Sequence, residues 1–79
     1  MPEYADAWAK LGLALAELGK ADDAQTAYES ALAIKPQSID ALGNYANLKK
    51  QMGDSKAAQN LYRKLITITP SSLRAWHEL

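Results

Sequence analysis

Apolar residues recur along this chain in steps of three and four, and glycine and proline interrupt them at intervals. Trp8, Leu11, Leu15 and Leu18 fall on one side of a helix. Ala24, Ala27, Tyr28, Ala31 and Ile34 do the same for a second helix, and Gly19 lies between the two stripes. Lacking a Cβ, Gly19 can take the left-handed conformation that ends a helix, and Gly53 after Met52 can repeat the turn. Pro36 and Pro70 cannot donate to a helix ladder, so each closes a helix, and Ser38 and Ser72 follow as N-caps for the next. The pattern predicts helices over Ala5–Leu18, Asp22–Lys35, Ile39–Met52 and Lys56–Thr69. Trp8, Tyr28, Tyr45 and Tyr62 fall on the stripes expected to be buried, so core packing rather than stacking on bases is their expected role.

The same marks return at a step of 34 residues. The three prolines, Pro2, Pro36 and Pro70, keep that step, as do Gly19 and Gly53, Ala24 and Ala58, Tyr28 and Tyr62, and Ile34 and Ile68. Residues 5–38 laid over 39–72 give nine identities, most at positions where turn geometry or close packing is strict. The segment from Leu73 to Leu79 restarts the unit, with Ala75, Trp76 and Leu79 in the places of Ala7, Trp8 and Leu11. Pro2 reads as the closing proline of an earlier unit and 73–79 as part of a third first helix.

Composition narrows the function. A chain of 79 residues with fifteen alanines and no phenylalanine suits closely packed helices, with little room for a deep catalytic cavity. Nine basic residues balance nine acidic ones, which removes a general pull toward nucleic acid or anionic lipid. The charge is uneven all the same: residues 1–38 carry three basic and six acidic groups, and residues 39–79 carry six and three. No run of about 18 apolar residues is present to span a bilayer, and the N-terminus lacks the basic-then-apolar order of a signal peptide. The lack of cysteine fits either redox compartment, so localisation is open.

Candidate chemistry is sparse. His77 is the single histidine, there is no thiol, and the four glycines never cluster as a phosphate loop requires. Asp22 and Asp23 are adjacent, so they point apart, and their place at a helix start suits the helix dipole better than paired acid–base work. No catalytic residue, metal site or cofactor is expected, and the sequence reads as non-enzymatic.

The 34-residue unit resembles the tetratricopeptide repeat family, whose pattern Trp8, Leu11, Gly12, Leu15, Gly19, Ala24, Tyr28, Ala31 and Pro36 follow throughout. The second unit departs from it, with Leu42 for Trp, Tyr45 for Leu, Ala46 for Gly, Lys49 at an apolar place and Leu65 at a small one, so less regular packing is expected there. The resemblance implies an all-α fold: a right-handed α-solenoid of antiparallel helix-turn-helix hairpins. The chain would be one domain over 1–79, with repeat 1 at 5–38, repeat 2 at 39–72 and a partial repeat 3 at 73–79. It also implies a protein–protein interaction scaffold that holds a peptide or helix of a partner in a concave groove lined by first helices.

Carried over position by position, the groove would present Asp6, Ala9, Lys10, Leu13, Ala16 and Glu17. From the second unit come Asp40, Gly43, Asn44, Asn47, Lys50 and Gln51, and then Arg74 and His77. Asn44 and Asn47 stand out, since a carboxamide both donates to and accepts from an extended peptide. A clamp for chaperone C-terminal carboxylates is not implied, because Ala9 and Leu13 replace its opening Lys and Asn, and Glu78 stands where its Arg belongs. An alternative from the same resemblance is a substrate-presenting arm of a larger enzyme, such as a protein glycosyltransferase, or part of a periplasmic assembly factor. Trp76 and Leu79 are expected to leave apolar surface at the unfinished end, through which copies could self-associate.

Overall fold

The computed structural model describes residues 2–68. They form four helices in two antiparallel hairpins: α1 (Pro2–Glu17), α2 (Ala21–Ile34), α3 (Ile39–Gln51) and α4 (Ser55–Ile68). No strand occurs among the described residues. The all-helical hairpin array expected from the stripes is what the chain forms. Three boundaries fall within one residue of expectation. The exception is the start of α1, which begins at Pro2 rather than Ala5. Proline suits a first helical position, where its φ is already helical and its missing N–H would bond nothing in the helix. Pro70, Ser72, the third first helix and the exposed end expected at Trp76 and Leu79 lie outside the described residues.

The two hairpin turns share one geometry. Gly19 has φ 81° and Gly53 φ 85°. At the first turn the Gly19 N–H donates to the Ala16 carbonyl at 3.0 Å and the Lys20 N–H to Leu15 at 2.8 Å. At the second, the Gly53 N–H donates to Lys50 at 3.1 Å and the Asp54 N–H to Lys49 at 2.9 Å. This paired pattern is the Schellman motif, which satisfies carbonyls that a helix end leaves free. Every one of its four atoms moves by the 34-residue step. Ser38 caps α3 as expected, its Oγ accepting from the Ala41 N–H at 3.2 Å while the residue is 2% exposed. Asp54, not singled out in the sequence, caps α4 through Oδ1 and the Ala57 N–H.

Each helix packs chiefly on its hairpin partner, and α3 also lies against α2 and α1. The core runs through this junction. Ala24, Tyr28, Tyr45 and Leu48 form one buried cluster, and Ala9, Ala31 and Ala41 form a second. Tyr28 and Tyr45 stack with centroids 5.6 Å apart, so one large residue from each hairpin fills the space between hairpins. A Cβ on Gly12 would stand only 2.7 Å from Cε1 of Tyr28, so the ring occupies space that any other residue at position 12 would claim.

The first stripe differs from expectation. Trp8, Leu11 and Leu18 are 39%, 45% and 71% exposed, and Ile34 is 40% exposed. Helix α1 is covered only where α2 and α3 touch it, and no described helix packs on the rest of its apolar face. The departures in the second unit, in contrast, are compensated locally. Ala9 and Ala31 meet in unit one; their counterparts 34 residues on are Gly43 and Leu65, and a Cβ on Gly43 would lie 3.8 Å from Leu65 Cδ2. Removing one methyl makes room for the larger partner. Lys49, in the place of Leu15, donates to Gln25 Oε1 at 2.9 Å, lies 3.9 Å from Asp54 Oδ2, and sits 5.7 Å from the Tyr45 ring centroid. Its amphipathic stem covers the core edge while its charge stays paired.

Candidate binding groove

Successive turns of α1 and α3 bring a small set of side chains together where the two helices face each other. Leu13, Ala16 and Glu17 from α1 and Asn44, Asn47, Leu48 and Gln51 from α3 line one cavity of about 150 Å³, and Tyr28 of α2 reaches it from behind. The i, i+3, i+4 spacing within each set puts its members on one helix face. The walls are mixed: Leu13 and Leu48 are apolar, Asn44, Asn47 and Gln51 carry carboxamides, and Glu17 is an exposed acid.

Hydrogen bonds fix part of this surface. The Tyr62 hydroxyl of α4 donates to Asn47 Oδ1, which leaves the Asn47 NH2 as the half of that carboxamide open to the cavity. Tyr45, next to Asn44, donates its hydroxyl to Glu29 Oε2 at 3.2 Å. Burial, with the Glu29 carboxylate behind it, pushes the Tyr45 phenol up to about 12. The Tyr28 hydroxyl has no protein partner, although the residue is fully buried. Burial first and the Glu17 carboxylate second raise its pKa, so it remains an O–H donor.

The expected groove residues divide into groups. Leu13, Ala16, Glu17, Asn44, Asn47 and Gln51 come together in this cavity. Asp6 and Asp40 border a separate depression of about 280 Å³ beside the α2–α3 turn, with Lys35, Gln37, Ser38 and Ile39. Ala9 is a correction: it is 1% exposed, packed with Ala31 and Ala41 where α1, α2 and α3 meet, and offers a ligand no surface. Gly43 is half-buried toward Leu65, while Lys10 and Lys50 are exposed and do not line the cavity. Arg74 and His77 lie outside the described residues. Tyr28 and Leu48 were read as core alone and also reach the cavity. The polar tip of a tyrosine beside a first-helix glycine was the available signal for the former.

Among the described residues no group of three or more His, Asp or Glu side chains is placed to hold a metal ion. No helix among them is long and apolar enough to cross a membrane.

The chain is similar to proteins of one kind. A family model described as "Tetratricopeptide repeat" matches residues 15–79. Tetratricopeptide repeat protein 37 of Xenopus laevis is 36% identical over 78 residues, covering 94% of this chain and 5% of that protein. The uncharacterized protein ycf37 of Pyropia yezoensis is 38% identical over 58 residues, covering 73% of this chain and 33% of that one. The chain therefore spans a third or less of the length of these relatives. The family match over most of the chain, the paired hairpins and the turns repeating at 34 residues agree, and this chain belongs to the tetratricopeptide repeat family.

Proposed function

We propose that this chain holds an extended segment of a partner protein in the cavity between α1 and α3. Tetratricopeptide repeats are generally non-catalytic modules of protein–protein interaction. The observation that carries the reading is that three carboxamides, Asn44, Asn47 and Gln51, face the apolar Leu13 and Ala16 across one cavity. Carboxamides satisfy the donors and acceptors of a peptide backbone, and the apolar side takes up side-chain area. Lining of this kind is adaptable and nearly uncharged, which suits a peptide better than a phosphorylated or nucleic-acid ligand.

The enzyme-arm alternative draws on an asparagine recurring at one inward place in successive first helices. Lys10 stands 34 residues before Asn44, so the ladder is broken within this chain, and the scaffold reading is preferred.

A photo-crosslinking residue introduced at Gln51, with a control at the exposed Gln59 of α4, tests the site. Crosslinks to a peptide segment from Gln51 and not from Gln59 are expected. Equal capture from both positions would contradict the groove.

A further inference from the structure

We infer that the cavity between α1 and α3 is a selective pocket for one primary carboxamide side chain, a glutamine of the bound segment, read by the buried Tyr28 hydroxyl. This rests on the groove reading above and narrows it to a ligand chemistry.

The argument is a count of donors and acceptors. Tyr28 is fully buried, borders the cavity, and has a hydroxyl with no protein partner. A buried hydroxyl left without a partner is costly, so the position favours whatever supplies an acceptor. Asn47 spends its carbonyl on Tyr62 and turns its NH2 to the cavity as a second donor. The fixed acceptor is the Glu17 carboxylate, close enough to Tyr28 to raise its pKa. A complementary group must offer an oxygen with two lone pairs to Tyr28 and Asn47, and an N–H to Glu17.

Other side chains fail one of these conditions. A carboxylate satisfies the two donors but meets Glu17, and no basic residue lines the cavity to offset the repulsion. An ammonium satisfies Glu17 but leaves both donors unmatched. A thioether of similar length fills the space and satisfies none of the three. The backbone peptide group has the right chemistry, but the Tyr28 hydroxyl lies at the buried back of a cavity of about 150 Å³, a depth that a side chain reaches and a main chain lying across the mouth does not. Leu13 and Leu48 then flank the methylenes of the entering side chain.

Four capped tripeptides test this: acetyl-Leu-Gln-Leu-amide and its Glu, Lys and Met counterparts. Each is titrated into the 79-residue chain while the backbone and carboxamide NMR resonances of Asn44, Asn47 and Gln51 are followed. The glutamine peptide should bind about tenfold more tightly than the other three, as expected where a site's polar groups would otherwise go unpaired. Tyr28→Phe should remove that preference and leave the methionine peptide unaffected. Glu17→Gln, at an exposed position that disturbs no packing, should weaken the glutamine peptide alone. If all four peptides shift the groove resonances with similar affinity, the carboxamide pocket is overturned while the groove stands. Preference for the lysine peptide overturns it in favour of a cation site at Glu17. Absence of any shift at these residues counts against the pocket and the groove together.

Discussion

Gly12→Ala isolates the contact that shapes the hairpin interior. The new Cβ would lie 2.7 Å from Cε1, 2.8 Å from Cδ1 and 3.0 Å from Cζ of Tyr28, where ordinary contact needs about 3.4–4 Å. The ring must retreat by several tenths of an ångström, yet it is fully buried and stacked on Tyr45. Overpacking of this kind costs about 1–3 kcal/mol, set against about 1 kcal/mol gained when alanine replaces glycine inside a helix. Gly43→Ala is the matched control, also inside a helix, with its Cβ 3.8 Å from Leu65 Cδ2. The propensity gain cancels between the two variants, so Gly43→Ala should exceed Gly12→Ala in stability by about 1–3 kcal/mol. In a chain of this size that is about 4–8 °C of Tm for each kcal/mol, read by thermal circular dichroism. The second unit indicates where the ring would go: Ala46 occupies the place of Gly12, and there Tyr62 is only half-buried with its hydroxyl on Asn47. Equal stabilisation by both substitutions would refute the close-contact reasoning.

Other outcomes follow from the same structure. Ser38→Ala should cost about 1 kcal/mol by removing the α3 cap, with Ser38→Gly costing less, measured by urea denaturation. Gly53→Ala, which forces a Cβ into the left-handed region with open space around it, should destabilise by about 1 kcal/mol through the backbone alone. Because folding raises the Tyr45 phenol from its ordinary value of 10 to about 12, its contribution is intact below pH 10 and is lost as pH climbs toward 12. Denaturant midpoints should therefore fall across that window, and Tyr45→Phe should flatten the fall.

Much of the fold was legible because turn chemistry is local. A glycine with positive φ, a proline and a serine cap act through their own backbone, so Gly19, Gly53 and Ser38 could be read from spacing. Burial is set by neighbours, and there the sequence misled. Trp8 and Leu11 carry a core-like stripe, but their exposure depends on which helices cover α1. Ala9 shares its helical repeat with groove positions, yet the small residues Ala31 and Ala41 let the helices close over it. The substitutions in the second unit looked like defects one at a time. In space Gly43 answers Leu65, and Lys49 is paired with Gln25 and Asp54. Of the candidate site, Asn44 and Asn47 were legible as carboxamides on one helix face. The role of Asn47 in holding Tyr62 was not, and it makes Asn44 the cleaner position for a binding variant.

The central claim is that the α1–α3 cavity is where a partner binds, and selection of a displayed random-peptide library on the 79-residue chain tests it most directly. Selected peptides should lose about tenfold or more in affinity for Asn44→Ala or Leu13→Lys, and keep their affinity for Lys64→Ala on the exposed side of α4. Peptides indifferent to Asn44 and Leu13 but weakened by Lys64→Ala would contradict the account.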